Sequence, residues 1–205
     1  MTMPEDDAPA DGDRAVGDAA SDSPDGEFVP ADADWTATLV AIEADWDAVV
    51  DLRLTVFVDE QGVPEHLELD EHDEEPLASD VDHLLVCEVS PEADGSGDGR
   101  AGDAVAVARL RAVDAADYGA LTGGTDRLAK IERVAVDRDR RGEGWGARVM
   151  RAAEARARER GLPEAMLHAQ THAAGFYERL GYAVDDAVGT FDEDGIEHVR
   201  MRRRL

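Results

Sequence analysis

Apolar positions along the chain follow two spacings, and each spacing predicts a different element. Short apolar or alternating runs predict strands at Ala37–Ile42, Leu84–Val89, Val105–Val113, Ala129–Val136, Ala165–Ala169, Tyr182–Val188 and Ile196–Met201. An apolar residue at every third or fourth position predicts helices at Asp45–Val58, from the turn at Gly146 to Arg160, and at Thr171–Leu180. The first helix would bury a face made of Trp46, Val50, Leu54 and Phe57. The order β-α-β-β-β-α-β-α-β-β indicates a mixed α/β domain.

Polar stretches separate these elements. Residues 1–30 carry few large apolar side chains, so they cannot bury enough surface to offset the entropy of ordering. We therefore predict a disordered acidic tail at 1–30 and a folded domain at 31–205. The acidic, aperiodic stretch Gln61–Asp80 is predicted to be an ordered loop with short turns. The polar stretches Asp94–Asp103 and Asp117–Asp126 are predicted to connect strands.

Charge limits the partners of this domain. The chain carries 48 acidic and 21 basic side chains, a formal net charge of −27, and Lys130 is its one lysine. Such an excess disfavours a general nucleic-acid binder, because affinity for phosphate backbones comes from basic patches. A solvated surface that keeps the protein in solution explains the acidity, but the many aspartates and the preference for arginine favour adaptation to high salt.

Cysteine content and hydropathy indicate the compartment. Cys87 is the single cysteine, which excludes a disulfide within the chain and disfavours a cysteine-based metal site. No apolar run approaches the roughly 20 residues that cross a bilayer, and the first 26 residues hold no hydrophobic signal core. We expect a cytoplasmic protein without a membrane partner.

One strand–loop–helix unit carries the candidate chemistry. The predicted strand ending at Val136 leads into a glycine-rich turn with Gly142, Gly144 and Gly146, and a helix follows. Free N–H groups at a helix N-terminus bind phosphate, and residues 137–160 hold eight arginines against five acids. The spacing lacks the Lys-Ser/Thr of nucleotide triphosphatases and the Gly-x-Gly-x-x-Gly of dinucleotide sites. A simple turn followed by a solvated arginine face remains the alternative.

Two motifs in this region resemble a known family. Arg141-x-x-Gly144-x-Gly146, preceded by Val134-Ala135-Val136, resembles the acyl-CoA pyrophosphate loop of the GCN5-related N-acetyltransferases (GNAT). Downstream, the segment Ala173–Tyr182 is similar to the family's Ala-x-x-Phe-Tyr-x-x-x-Gly-Phe/Tyr helix. The resemblance extends from Trp35 to Leu205.

Two further segments resemble the ElaA-type subgroup. The first begins at Arg53 and continues through Glu60-Gln61-Gly62-Val63-Pro64 to Asp70 and Asp73, and the second is Gly195-Ile196-Glu197-His198-x-x-Met201. Glu197 stands where that subgroup usually has proline.

The resemblance implies an α/β acyl-CoA N-acyltransferase fold, with a mostly antiparallel, splayed central sheet flanked by helices. Acetyl-CoA would be the co-substrate, with no metal. The implied cofactor-binding residues are Val134, Ala135, Val136, Arg141, Gly142, Glu143, Gly144, Trp145, Gly146 and Gln170. At Gln170 many relatives have an asparagine that contacts the pantetheine arm.

The resemblance also implies catalytic roles. The reaction would be direct attack of a neutral amine on the thioester, in an enzyme that acts as a monomer or homodimer. Tyr177 stands where the family places the acid that protonates the CoA sulfur, and a buried structural tyrosine is the alternative. Glu132 would deprotonate the amine, directly or through water. The alternative for Glu132 is a salt-bridged strand carboxylate near Arg109, Arg111 or Arg133.

An acceptor amine would bind opposite the cofactor, beside the first helix and the loop at 61–80. The candidate substrate-binding residues are Glu60, Asp70, Asp73, His83 and His198. His168 and His172 have a spacing compatible with a metal, but no third ligand is near them in sequence, so zinc is disfavoured. A sensor that binds acyl-CoA without turnover, and a transferase for longer acyl chains, remain alternatives.

Overall fold

A computed structural model of the chain describes residues 27–28, 35–77, 81–88, 103–119 and 126–205. Within the predicted tail at 1–30, only Glu27 and Phe28 are described, and they form a short strand. The remainder of that tail lies outside the described residues, as do most of the connections predicted at 94–103 and 117–126.

The strands of the described residues form one sheet. They are β1 (Glu27–Phe28), β2 (Trp35–Leu39), β3 (Asp82–Glu88), β4 (Ala104–Asp114), β5 (Arg127–Val136), β6 (Glu164–Gln170), β7 (Ala183–Val184), β8 (Thr190–Glu193) and β9 (Ile196–Arg204). Their order is β1-β2-β3-β4-β5-β6-β9-β7, and β8 also pairs with β9. Apart from β5 and β6, all described neighbours are antiparallel. The predicted mixed α/β fold with a mostly antiparallel sheet is confirmed.

Helices cover both faces of this sheet. The α-helices are α1 (Glu43–Arg53), α2 (Glu65–Glu68), α3 (Ala115–Tyr118), α4 (Trp145–Glu159) and α5 (Ala174–Arg179). A π-helix (Leu54–Glu60) continues α1, and short 3-10 turns occur at Glu71–Asp73, Arg138–Arg140 and Thr171–Ala173. The apolar stripe of α4 packs into the main core through buried residues including Val149, Met150, Ala153 and Ala157. Helix α1 packs on the opposite face, against Leu85, Val107 and Ala135.

Strands β5 and β6 separate after a short paired segment. Their pairing covers only Ala129 with Ala165 and Lys130 with Met166. Beyond that point β5 continues to Val136 and β6 continues to Gln170 without further pairing to each other. The sheet therefore opens into a gap at its centre.

A bulge in β5 borders this gap. Glu132 lies opposite Arg109 and Ala135 lies opposite Val107, so β5 carries one more residue than β4 between the two pairs. Arg133 adopts the left-handed region, with φ +53°. A bulge of this kind bends the strand and turns its backbone groups away from the regular ladder. Because of this bulge, backbone groups of β5 beside the gap are turned away from the ladder with β4.

The first helix differs from its prediction. The buried residues are Ala48, Val49, Leu52, Arg53 and, in the π-helix, Val56, whereas Trp46 and Phe57 are only partly buried. Apolar spacing could not identify this face, because the buried guanidinium of Arg53 is one of its members.

The last hairpin also differs from its prediction. Of the predicted strand Tyr182–Val188, only Ala183–Val184 is a strand, and β9 forms its hairpin with Thr190–Glu193. A turn at residues 186–188, followed by Gly189 with φ +71°, interrupts the segment.

Candidate active site

A glycine-containing loop connects β5 to α4 at one end of the gap. Gly142 and Gly144 have φ values of +87° and +88°, and α4 begins at the next residue, Trp145. This left-handed conformation is strained for residues with a Cβ, so backbone geometry requires glycine at both positions. Gly146 has a different role, because a Cβ there would lie 3.0 Å from the ring of Phe176. It allows α5 to pack closely against α4.

The arginines around this loop are already paired with acids. The Arg141 guanidinium lies 2.9 Å from the Glu60 carboxylate and also donates a hydrogen bond to the carbonyl of Val136. Arg140 is 2.9 Å from Glu88. Arg160, at the far end of α4, binds Asp82 at 2.6 Å. The local positive charge expected from the sequence is therefore offset by acids from other segments.

The gap between β5 and β6 forms a cavity of about 690 Å³. Its lining includes most of the predicted cofactor-binding residues: Val134, Ala135, Val136, Arg141, Gly142, Gly144, Trp145, Gly146 and Gln170. Glu143 does not line it, because its carboxylate binds Arg140 and the indole N–H of Trp145. The cavity thus joins the glycine loop to the open middle of the sheet.

Tyr177 lines this cavity from the side of α4. Its ring packs edge-on against Phe176 at 4.9 Å and lies 6.1 Å from Tyr182, in the main core. Burial raises the pKa of Tyr177 to about 12, so the phenol keeps its proton at neutral pH. A neutral O–H inside the gap can donate a hydrogen bond to a developing anion.

Glu132 also lines the cavity, but three cations surround it. Its carboxylate lies 2.9 Å from Arg109, 2.5 Å from Arg111 and 2.9 Å from Lys130. Burial alone would raise the pKa of Glu132, but these charges outweigh burial and hold it far below its usual range. A carboxylate stabilised in its ionised form is a weak proton acceptor. The base role of Glu132 stays a prediction, and its surroundings count against it.

The predicted acceptor-binding acids lie outside the gap. Asp70 binds Arg109 at 2.7 Å, and Asp73 binds Arg53 at 2.8 Å. Burial would raise the pKa of Asp70, yet the hydrogen bond and charge of Arg109 lower it to about 2. Both carboxylates border a separate surface groove near α1. Their contacts connect the segment after α2 to the sheet, and the acceptor role of Asp70 and Asp73 stays a prediction.

His83 and Glu60 also have surroundings other than those expected. His83 is 2% exposed and contacts Trp46 edge-on at 4.7 Å, and among the described residues neither of its ring nitrogens has a hydrogen-bond partner. Burial lowers its pKa to about 4, so the ring is neutral. Glu60 binds Arg141 instead of lining the gap. Of the five predicted acceptor residues, only His198 lines the cavity.

Gln170 is connected across the open end of the gap. Its side-chain amide donates a hydrogen bond of 2.9 Å to Gln61, which follows the π-helix. Glu60 and Gln61 are neighbours in sequence, and each holds a predicted cofactor-binding side chain. The C-terminal end of the π-helix is therefore joined to both borders of the gap.

Sequence reasoning missed Glu193 and gave His168 no role in the site. Both line the cavity, and the Nδ1 atom of His168 lies 3.1 Å from Glu193. The alternation His168-x-Gln170 on a strand was a usable signal for a shared face. Glu193 carried no comparable signal, because it lies between the predicted strands Tyr182–Val188 and Ile196–Met201.

The described residues contain neither a cluster of metal-ligand side chains nor a helix that could span a membrane. Within the described ranges, no group of three or more His, Cys, Asp or Glu side chains is arranged to hold a metal ion. Helices of the described residues are also too short or too polar to cross a membrane. The predictions about metal, membrane, nucleic acid and compartment remain predictions.

Comparison with known proteins identifies relatives of this chain. A profile of the acetyltransferase (GNAT) domain matches residues 112–205. The uncharacterized protein YyaT of Bacillus subtilis is 34% identical over 166 residues, which is 81% of this chain and 93% of YyaT.

Solved structures agree. An acyl-CoA N-acyltransferase from Pseudomonas aeruginosa matches with a TM-score of 0.60 and 29% identity, covering 83% of this chain and 98% of the other. Escherichia coli ElaA matches with a TM-score of 0.58 and 25% identity, covering 82% and 97%. The resemblance to ElaA proteins found in the sequence is confirmed at the level of structure. The chain belongs to the GCN5-related N-acetyltransferase (GNAT) family, whose members bind an acyl-CoA and an acceptor substrate.

Proposed function

We propose that the domain at 31–205 is an acetyl-CoA-dependent N-acetyltransferase that moves an acetyl group to a primary amine of a small molecule or an exposed amino group. The observation that carries this proposal is the gap between β5 and β6, which has a glycine loop at one end and a neutral phenol inside. The name of the Pseudomonas relative, an acyl-CoA N-acyltransferase, supports the same chemistry.

The cofactor would lie along the gap. Backbone N–H groups from Arg141 to Gly146, at the N-terminus of the fifteen-residue helix α4, suit a pyrophosphate. The Arg141 side chain would add charge once it leaves Glu60. The splayed edge of β5, with the backbone of Val134 and Val136, suits the amide groups of the pantetheine arm. Gln170 would contact that arm after it releases Gln61.

The acyl group would lie beside the bulge in β5. Backbone N–H groups turned out of the ladder can hydrogen-bond the thioester carbonyl and stabilise the oxyanion formed on attack. The sulfur would then lie near Tyr177. Because the Tyr177 phenol stays protonated, it can act as the general acid that protonates the departing thiolate as the C–S bond breaks.

A sensor that binds acyl-CoA without turnover is the competing function. Release of CoA from acetyl-CoA, measured in high salt with a panel of primary amines, separates the two. We expect amine-dependent release by the native protein and a loss of about 10²-fold or more in kcat for Tyr177→Phe, since general acids contribute this much. Tyr118→Phe, which removes a phenol outside the gap, is the control.

The outcomes are distinct. Binding of acetyl-CoA without CoA release for any amine would favour the sensor. A series of acyl-CoA chain lengths in competition tests the preference for acetyl. Failure to bind any acyl-CoA would reject both functions.

A further inference from the structure

A cluster of polar side chains borders the gap on the face opposite Tyr177. Leu167 packs into the core beneath α4, so its neighbour His168 on β6 faces the other side of the sheet. On that side, Gln170 of β6, His198 of β9 and Phe191 of β8 lie in one row across three strands. A cofactor entering beside α4 and an acceptor entering here would meet from opposite faces.

His168 and Glu193 form a hydrogen-bonded pair in this cluster. Nδ1 of His168 lies 3.1 Å from one carboxylate oxygen of Glu193 and 3.2 Å from the other. The hydrogen bond from His168 is the largest of the effects that lower the pKa of Glu193, so this carboxylate is ionised. An ionised carboxylate can only accept, and Nδ1 must therefore carry the proton. The neutral imidazole then has its lone pair on Nε2.

The orientation of the ring is fixed on a second side. Phe191 contacts His168 edge-on with ring centres 4.8 Å apart. Among the described residues, Glu193 is the hydrogen-bond partner of His168, and it engages Nδ1 only. Nε2 is thus the nitrogen free to accept a proton at the border of the gap. In the Ser-His-Asp triads of hydrolases, a carboxylate likewise holds the histidine in the tautomer and orientation that leave Nε2 able to accept a proton.

Four ionisable neighbours of His168 on β5 and β9 have partners of their own. On β5, Lys130 and Glu132 bind each other at 2.9 Å. On β9, Arg200 binds Asp185 at 2.9 Å, and Nδ1 of His198 donates to the carbonyl of Ile196 at 2.8 Å. His198 also has Nε2 available, but a neutral carbonyl stabilises an imidazolium less than the charge of Glu193 does. His168 is the better placed base.

We propose that His168, positioned by Glu193, is the general base that takes the proton from the acceptor amine. This role rests on the proposed acetyl transfer. Nε2 of His168 takes one proton from the ammonium form of the acceptor, and the neutral amine nitrogen then forms a bond to the thioester carbon. The C–S bond breaks, and the CoA sulfur takes one proton from Tyr177. Water carries the second proton that leaves the nitrogen to the phenolate, and the imidazolium releases its proton to solvent before the next turnover.

The tautomer of His168 is the first test, and it requires no acceptor. Long-range ¹H–¹⁵N NMR spectra of the intact protein distinguish an Nδ1–H imidazole from an Nε2–H imidazole. We expect the proton on Nδ1 in the native protein and a mixture of tautomers in Glu193→Gln. A proton on Nε2 in the native protein would overturn the proposal.

Kinetics with two nucleophiles is the second test. One is the amine that gives the highest rate in the panel above, and the other is hydroxylamine, whose nitrogen is largely unprotonated at neutral pH. We expect His168→Gln to lower kcat for the amine by about 10²-fold or more. The rate with hydroxylamine should fall by much less, and binding of acetyl-CoA should be unchanged.

The controls distinguish a failure of the His168 role from a failure of the proposed acetyltransferase function. His66→Gln, which removes an exposed histidine on α2, should change neither rate. Equal losses for both nucleophiles in His168→Gln, or no loss for the amine, would overturn the role of His168 alone. A native protein that releases no CoA with either nucleophile would instead overturn the proposed function, and this role with it.

Discussion

The carboxylate of Glu60 lies 2.9 Å from the guanidinium of Arg141, at the end of the gap where the glycine loop begins. One oxygen of Glu60 makes this contact, and the other is buried with no hydrogen-bond partner in the part of the chain that the structure describes. The π-helix that ends at Glu60 is thereby connected to the loop proposed to hold pyrophosphate. An anion bound at this loop would compete with Glu60 for Arg141 and would also be repelled by it.

Removing this negative charge should strengthen cofactor binding. We expect Glu60→Gln to lower the Kd for CoA by roughly 3- to 10-fold at low ionic strength, because one unit charge near another contributes about 1 kcal/mol in high dielectric. The advantage should shrink as salt is added, since salt screens exposed charges. Titration calorimetry at two salt concentrations measures both effects. Glu65→Gln, an exposed neighbour on α2, is the control, and weaker binding by Glu60→Gln would contradict the competition.

Gly144, which has a left-handed backbone conformation in the loop, should be essential for binding CoA. Gly144→Glu places a carboxylate and a strained residue at the N-terminus of α4, where φ is +88°. We expect binding of CoA to become undetectable by calorimetry. Gly161→Glu, at a φ of +69° beyond the other end of α4, carries the same backbone strain and should bind CoA normally. Equal loss in both variants would show that the effect is on folding.

The buried guanidinium of Arg53 should be essential for stability. It is 1% exposed and binds Glu68 at 2.5 Å and Asp73 at 2.8 Å. Arg53→Ala removes one cationic partner from each of two buried carboxylates, leaving Glu68 with Arg133 at 3.0 Å and Asp73 with Arg109 at 3.4 Å, and breaking buried pairs of this kind costs about 3–5 kcal/mol of unfolding free energy. Chemical denaturation measures this loss. Arg151→Ala, on the exposed face of α4, should change stability by less than about 0.5 kcal/mol, and a similar result for Arg53→Ala would refute the role of the ion pairs.

His83 should make stability depend on pH. Its pKa is about 4 in the folded protein against 6.5 for an ordinary histidine, so the unfolded chain binds a proton that the folded protein excludes. Stability therefore rises with pH between about 4 and 6.5, by up to about 1.4 kcal/mol per pH unit for one proton. Comparison of denaturation curves across this window tests the slope. We expect His83→Leu to reduce it and the exposed variant His66→Gln to leave it unchanged; an unaltered slope in His83→Leu would refute the assignment.

The elements and the loop were predictable because local spacing determines them. The strand before Val136, the glycine turn and the amphipathic α4 each follow from a few adjacent residues. The separation of β5 from β6 was not predictable from periodicity, because strands that pair and strands that diverge have the same alternation. Family resemblance supplied that expectation, and the short pairing of Ala129 and Lys130 bears it out.

The site was less predictable because it depends on pairing between distant segments. Asp70 and Asp73 had the same appearance in sequence as a cation-binding pair, and only the fold brings Arg53 and Arg109 to them. Glu193 reaches His168 through the bend of the β8–β9 hairpin, whose register the sequence did not reveal. In a chain this acidic, an individual carboxylate carries little signal until its partner is known.

A crystal structure with a non-hydrolysable acetyl-CoA analogue tests most directly whether acetyl-CoA occupies the gap between β5 and β6. The account predicts pyrophosphate at the backbone of residues 141–146, the pantetheine arm along Val134 and Val136, and the sulfur position within hydrogen-bonding distance of the Tyr177 hydroxyl. An analogue bound outside this gap, or a thioester position remote from Tyr177, would contradict it.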